Sequence, residues 1–208
     1  MRDLSPRYDA AVTAIDQANA ADPNSVEVRG QRVALALVHG RLAVEWIEQL
    51  VDQPDEALLL AARAHHLRRW ELRRDSYPAG RPGYLRWRKD QKVRHADDVA
   101  AILQSCGYDA TEIERVQRLI RREAVDGAQA MEDAVCLVFI ETQLASFAER
   151  TEHELTMNVI RKTARKMSEH GLGLVGAIPL GETEQGLLAE ALGAISPAEE
   201  SPERASQE

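Results

Sequence analysis

Cysteine and aromatic residues are scarce in this chain of 208 residues, and the chain also lacks long apolar runs. The two cysteines, Cys106 and Cys136, lack CxxC spacing and cannot form the disulfide framework of a small secreted domain. Phe, Trp and Tyr together make up 4% of the chain. No apolar run approaches the ~20 residues that cross a bilayer, and the N-terminus lacks the apolar stretch of a signal peptide. We therefore expect a cytoplasmic protein with no membrane partner.

The rest of the composition indicates a helical domain. Hydrophobic residues make up 44% and charged residues 29%, a balance typical of a globular protein with a sizeable core. The abundant Ala, Leu, Glu and Arg favour helices, and no segment shows the alternation of a strand. The sequence predicts an all-α, single compact multi-helix domain over residues 1–194 and a disordered acidic tail over residues 195–208.

Capping residues, Pro and Gly set the limits of about seven predicted helices. A Thr111-x-x-Glu114 capping box opens the fifth, and two Pro with two Gly predict a loop over residues 74–83. The predicted helices cover approximately residues 6–22, 31–51, 55–73, 84–105, 111–122, 128–149 and 152–169, with a short further one over residues 182–192.

Charge is unevenly distributed along the chain. The net charge of −8 argues against a long nucleic acid as partner. The segment from Arg68 to Arg94, however, contains ten basic and three acidic residues, so it carries +7 while the rest of the chain carries −15. This basic segment indicates either a site for a compact anionic ligand or a solvated helix face.

Four polar residues occupy positions where the helical pattern requires apolar ones. A single inward-facing histidine is usually a core residue with a hydrogen-bond partner, but a buried carboxylate needs a partner or a metal. Each of the four lies on the apolar stripe of a different predicted helix, which indicates convergence on one site. Imidazole and carboxylate together bind Zn, Mn or Fe. The predicted ligands of a divalent metal are His39, His66, His95 and Asp133.

The order of these residues resembles the metal-binding series of the HD superfamily, a His, a His-Asp pair and a distal Asp. His39, the pair His65-His66 and then Asp133 follow that order. The resemblance implies an HD-domain-like fold and a metal-dependent phosphohydrolase. The Asp of the pair is missing, so either His66 takes its position or Leu67 does and that ligand is lost.

A second resemblance covers most of the chain, from about Tyr8 to Leu180. It is similar to a bacterial and fungal family named domain of unknown function 4202 (DUF4202), and the family implies no activity. The segments that carry this resemblance are Ala14-Ile-Asp-Gln-Ala-Asn19, His66-Leu-Arg-Arg-Trp-Glu71, Ser76-Tyr-Pro78, Gly83-Tyr-Leu-Arg-Trp-Arg88, Glu132-Asp-Ala-Val-Cys-Leu-Val-Phe139 and Arg161-Lys-Thr-Ala-Arg-Lys-Met-Ser168.

Two functions are consistent with these patterns. The first is a metal-dependent phosphohydrolase of a small phosphorylated metabolite or nucleotide, with His65 or His95 assisting the metal ligands. The second is a metal-free ligand-binding or regulatory domain that keeps the scaffold and a basic pocket, and the missing Asp favours it. In both, arginine pairs with phosphate and Tyr stacks on a flat ring, and a homo-oligomer is an open alternative. The predicted substrate-binding residues are Arg68, Arg69, Glu71, Tyr84, Arg86, Arg88 and Lys92.

Overall fold

The computed structural model describes residues 4–193, which form helices, one short hairpin and the turns between them. The helices are α1 (Pro6–Ala20), α2 (Leu35–Leu50), α3 (Glu56–Ala64), α4 (Gly80–Ser105), α5 (Ala110–Arg121), α6 (Ala128–Ala148), α7 (His153–Ala164), α8 (Glu169–Gly173) and α9 (Glu182–Gly193), with 3-10 turns at Arg69–Glu71, Arg74–Ser76 and Leu174–Ala177. The prediction of an all-α class is confirmed, with more helices than the seven expected. The predicted tail over residues 195–208 lies outside the described residues.

Helix α3 lies at the centre of the core and packs against α1, α2, α5 and α6. Asp55 begins it by accepting a 2.8 Å hydrogen bond from the Leu58 backbone N–H, as an N-cap residue does. Its buried residues occupy every side of the helix, which is typical of a helix enclosed by others; they are Leu58, Leu59, Leu60, Ala61, Ala62 and Ala64.

A close approach of α2 to α3 sets the position of the candidate site. A Cβ atom added at Gly40 would lie 2.4 Å from the carbonyl oxygen of Arg63. Only glycine therefore permits this spacing between the two backbones. The contact brings His39, the residue before Gly40, close to the histidines that follow α3.

A hairpin replaces the predicted start of α2, and the prediction of no strand pairing is wrong here. Strands β1 (Ser25–Val28) and β2 (Gln31–Ala34) pair antiparallel, with Val26 opposite Val33. The two-residue turn has positive φ at both Arg29 and Gly30, the conformation that matches the twist of paired strands. The prediction missed it because both strands are short.

The predicted third helix is also wrong in its second half, because α3 ends at Ala64 rather than near residue 73. The His65 imidazole bonds through Nδ1 to the carbonyl oxygen of Ala62 at 2.8 Å. Arg68 then adopts a left-handed conformation with φ of 50°, which a helix cannot continue through. The chain turns instead, and Leu67 is fully buried in that turn.

Three smaller differences concern helix ends. Helix α4 begins at Gly80, earlier than predicted, because Pro82 is compatible with a first turn. The capping box of α5 is formed by Asp109 and Glu112 instead of Thr111 and Glu114. The predicted seventh helix, over residues 152–169, ends early at Ala164, and a separate short helix, α8, begins at Glu169. Among the described helices, none has both the length and the apolar character needed to cross a bilayer.

Candidate metal centre and anion cleft

Four histidines from three parts of the chain lie together, and we call His39, His65, His66 and His95 the histidine cluster. The ring centroids of His65 and His66 are 4.1 Å apart, those of His39 and His66 5.1 Å, and those of His66 and His95 6.1 Å. His39 comes from α2, the pair follows α3, and His95 comes from α4. His66 is half-buried, whereas the other three rings are at most 4% exposed.

Backbone carbonyls fix the tautomers of two members of the cluster. His65 Nδ1 lies 2.8 Å from the Ala62 carbonyl oxygen, and His95 Nδ1 lies 2.7 Å from that of Leu67. A carbonyl only accepts, so each Nδ1 carries the proton and each Nε2 keeps a lone pair. Neither Nε2 has a hydrogen-bond partner among residues 4–193. Both lone pairs are therefore available to a ligand.

Helix α6 fixes the tautomer of His39. The Thr142 hydroxyl donates a 2.6 Å hydrogen bond to the Val138 carbonyl, so its oxygen can accept from His39 Nε2, 3.0 Å away. His39 Nδ1 then keeps its lone pair, and His66 Nδ1 lies 2.9 Å from it. In this protonation state His66 donates to His39.

The donor atoms of three members fit a single cation. One nitrogen from each of His39, His65 and His66 can be chosen so that all three lie within 4.8 Å of one another. Two nitrogens bound at about 2.0–2.1 Å to a tetrahedral zinc ion would lie roughly 3.3 Å apart, close to the His39–His66 separation. The other ring nitrogen of His39 and of His65 bonds to the protein, the arrangement that orients metal-binding histidines.

Burial keeps the cluster neutral. Burial, and to a smaller extent the positive charge of Arg69, lowers the pKa of His39 to about 4 and that of His95 to about 3. Burial also holds the pKa values of His65 and His66 well below the ordinary value. Neutral imidazole is the form that binds metals, so these rings need no deprotonation near neutral pH.

Among the described residues Asp133, predicted as a ligand, bonds to none of the four histidines of the histidine cluster. Its carboxylate accepts hydrogen bonds from the Ser168 backbone N–H at 2.9 Å, the Ser168 hydroxyl at 2.6 Å and Gln129 Nε2 at 2.9 Å. On α6 the residue that contacts His39 is Thr142, and nine residues of helix separate it from Asp133 by about 14 Å. The carboxylate thus joins α6 to the start of α8, and Asp133→Ala, described in the Discussion, tests whether it also binds the metal as the sequence predicts.

A cleft of about 190 Å³ reaches the histidine cluster at His39 and His66. Arg69, one of the predicted substrate-binding residues, lines it beside Trp87, and its guanidinium lies 4.8 Å from the Trp87 ring centroid. Burial lowers the pKa of Arg69. Among the described residues no ion pair joins Arg69 to a carboxylate; Asp22 also lines the cleft, where its carboxylate accepts from Asn24 and from the Ala36 backbone N–H.

The other predicted substrate-binding residues lie elsewhere around the basic segment. Arg86 is exposed and 3.8 Å from Asp90, Arg88 lies over the ring of Tyr84 at 5.8 Å, and Glu71 pairs with Arg94. The backbone N–H of Arg68 donates to the Asn19 side chain. Burial, and then the positive charge of Arg122, lowers the pKa of Lys92. Of the predicted set, Arg69 is the residue that the cleft places beside the histidine cluster.

Two residues of the site were not among the predicted metal ligands. His65 was predicted only as an assisting residue, although it is more buried than His66. Thr142 was not predicted, because a threonine is a less unusual residue on an apolar stripe than a histidine. The same signal that identified His39 could have found it, since Thr142 follows Val138 by one helical turn.

Residues 9–188 match the family described as a domain of unknown function. The chain therefore belongs to the DUF4202 family, as the resemblance predicted. No curated protein and no solved structure matches it. The HD-like pattern is not confirmed by these comparisons.

Proposed function

We propose that the histidine cluster binds a divalent transition metal, Zn, Mn or Fe, and that the protein hydrolyses a small phosphorylated metabolite or nucleotide. The observation that carries the proposal is the pair of buried lone pairs on His65 Nε2 and His95 Nε2, each without a partner among residues 4–193 because the opposite ring nitrogen is bonded to a backbone carbonyl. The Nδ1 lone pair of His39 lies beside them and contacts only His66. Buried polar atoms without partners are uncommon in proteins and call for a ligand.

Different residues bind the metal and the substrate. His39, His65 and His66 hold the ion, and His95 offers a further lone pair next to them. A bound divalent ion would lower the pKa of a water molecule and so supply a nucleophile near neutral pH. Because His39 and His66 line the cleft, a substrate in the cleft would meet the ion there, with Arg69 beside its phosphoryl group.

Metal content and hydrolysis together test this function. Protein purified without chelator should contain close to one transition-metal ion per chain by plasma mass spectrometry and hydrolyse p-nitrophenyl phosphate. His65→Ala and His66→Ala should lose both properties, and His153→Ala, at an exposed histidine paired with Glu190, should keep both. Wild-type protein that binds the ion but hydrolyses no phosphate ester tested would overturn the enzymatic part.

The second candidate is a metal-free ligand-binding or regulatory domain. Its supporting observation is the 2.9 Å contact between the Nδ1 atoms of His39 and His66, which satisfies both atoms through one proton. The residue after His66 is Leu67, in the core, so no carboxylate adjoins the pair. Wild-type protein that takes up none of Zn, Mn or Fe at micromolar concentration, yet binds phosphate esters, would favour this candidate.

A further inference from the structure

We propose that Arg69 is the single cation that recognises substrate and that the cleft takes a compact phosphomonoester, not a di- or triphosphate. This inference rests on the proposed function and narrows its substrate class. It concerns the one arginine of the basic segment whose charge adjoins the histidine cluster without a carboxylate partner among the described residues.

The other two arginines that line the cleft are already engaged. Arg73 pairs with Asp75 at 2.5 Å. Arg74 donates to the carbonyl oxygens of Tyr77 and Pro78, both at 3.1 Å, and so organises the loop before α4. Both guanidinium groups therefore already bond to the protein. One free cation beside one candidate metal centre matches one phosphoryl group.

Buried contacts hold Arg69 in place before any ligand arrives. Gln91 Nε2 donates to the carbonyl oxygens of Arg69 at 2.9 Å and Leu72 at 3.0 Å. Trp87 donates from Nε1 to the same Leu72 carbonyl at 2.9 Å while its ring stacks on the guanidinium. A planar guanidinium fixed in this way can bind phosphate with two hydrogen bonds and little loss of side-chain freedom.

The size and walls of the cleft agree with a small ligand. At about 190 Å³ it is smaller than the roughly 300–1,000 Å³ of typical ligand pockets. Its apolar lining includes Leu35, Trp70 and Leu72, which suits a short uncharged group attached to the phosphate. A second or third phosphate would add negative charge in a cleft whose other lining arginines, Arg73 and Arg74, already have protein partners.

Binding of orthophosphate and pyrophosphate to chelator-treated protein tests this assignment without requiring turnover. By calorimetry, wild-type protein should bind orthophosphate, and pyrophosphate should bind no more than threefold more tightly. Arg69→Gln should weaken orthophosphate at least tenfold. The matched control Arg81→Gln, an exposed arginine of the same segment, should change the affinity less than twofold.

Three outcomes count against the proposal. No orthophosphate binding by the wild type, unchanged binding by Arg69→Gln, or pyrophosphate binding more than tenfold tighter would overturn it. If Arg69→Gln does not fold, Arg69→Lys replaces it; this variant keeps the charge, loses the planar fork, and should still weaken orthophosphate several-fold. Because metal content is measured separately, a protein that binds phosphate through Arg69 but no metal would overturn the proposed hydrolase while supporting this site.

Discussion

The Nδ1 atoms of His39 and His66 face each other at 2.9 Å, a separation that fits either a shared proton or, after a small shift, a shared metal ion. The hydroxyl of Thr142 selects the tautomer of His39 that leaves this Nδ1 unprotonated. A metal bound between these two Nδ1 atoms would therefore require His66 to carry its proton on Nε2 instead of Nδ1, and would leave the rest of the hydrogen bonds of the histidine cluster unchanged.

Thr142 should control metal affinity through His39. Thr142→Val keeps the shape of the side chain but removes the acceptor for His39 Nε2, so the ring loses its preferred tautomer. Loss of such an outer contact typically costs about 10- to 100-fold in metal affinity, measured here by competition with a chromophoric zinc chelator. Thr142→Ser keeps the hydroxyl and should stay within about threefold of the wild type. Equal affinities for the Val and Ser variants would show that Thr142 does not orient the ligand.

Acid should destabilise the metal-free protein through the buried histidines. The folded pKa values of His39 and His95, about 4 and about 3, lie below the ordinary value of 6.5. Unfolded chains therefore take up protons first, and stability falls as the pH drops below about 6.5 and continues to fall until the folded pKa is reached. Each of the two should contribute up to about 1.4 kcal/mol per pH unit.

Urea unfolding between pH 7 and pH 4.5, in the presence of chelator, measures this dependence. Carboxylates also titrate in this range, so the informative quantity is the difference between the wild type and His95→Gln, which should show a shallower slope. His153→Gln, at an exposed position, should retain the wild-type slope. Identical slopes for all three proteins would contradict the neutral, buried state assigned to His95.

Asp133 should stabilise the fold and leave metal binding unaffected. Its buried carboxylate accepts two hydrogen bonds from Ser168 and one from Gln129. Asp133→Ala should therefore lower the free energy of unfolding by on the order of 3 kcal/mol, because Ser168 and Gln129 lose a charged acceptor. Metal content should stay at the wild-type level. Loss of the ion in a variant that remains folded would restore Asp133 as the ligand that the sequence predicts.

Gly40 should be intolerant of even a methyl group. The carbonyl oxygen of Arg63 occupies the space that a Cβ would need, and backbone cannot move aside as a flexible side chain can. Gly40→Ala should cost about 1–3 kcal/mol of stability and separate His39 from the histidines after α3, so metal affinity should fall as well. Gly173→Ala is a suitable control because nothing lies within 4 Å of its added methyl group. A Gly40→Ala protein as stable as the wild type would exclude the close contact of α2 with α3.

Hydrophobic periodicity predicted which side chains face inward, but not which inward-facing side chains of two neighbouring helices lie at the same level. His39, His66 and His95 each interrupt an apolar stripe, and the structure brings all three together. Asp133 interrupts a stripe of α6 in the same way, yet α6 meets His39 at Thr142. The level at which two helices meet depends on tertiary packing, here on the Gly40 contact and the end of α3, which a stripe does not encode.

The differences in the fold have local causes. The hairpin depends on positive φ at Arg29 and Gly30, and an Arg-Gly pair is a weak signal beside a strongly helical continuation. The predicted third helix extended past Ala64 because the residues that follow keep a helical composition. Helix α3 ends at the turn that places His65 and His66 in the histidine cluster. Long-range contacts stabilise that turn, such as the hydrogen bond between His95 and the Leu67 carbonyl.

Cobalt titration of the chelator-treated protein tests the metal centre most directly, because the intensity of the visible Co²⁺ absorption bands reports both stoichiometry and coordination. The histidine cluster predicts saturation at close to one Co²⁺ per chain, with the strong bands of a four-coordinate nitrogen-rich site, and no such bands for His65→Ala. Zinc should abolish the bands by displacement. A wild-type protein that develops no bands, or a His65→Ala protein that develops them undiminished, would contradict the assignment of the histidine cluster as a metal centre.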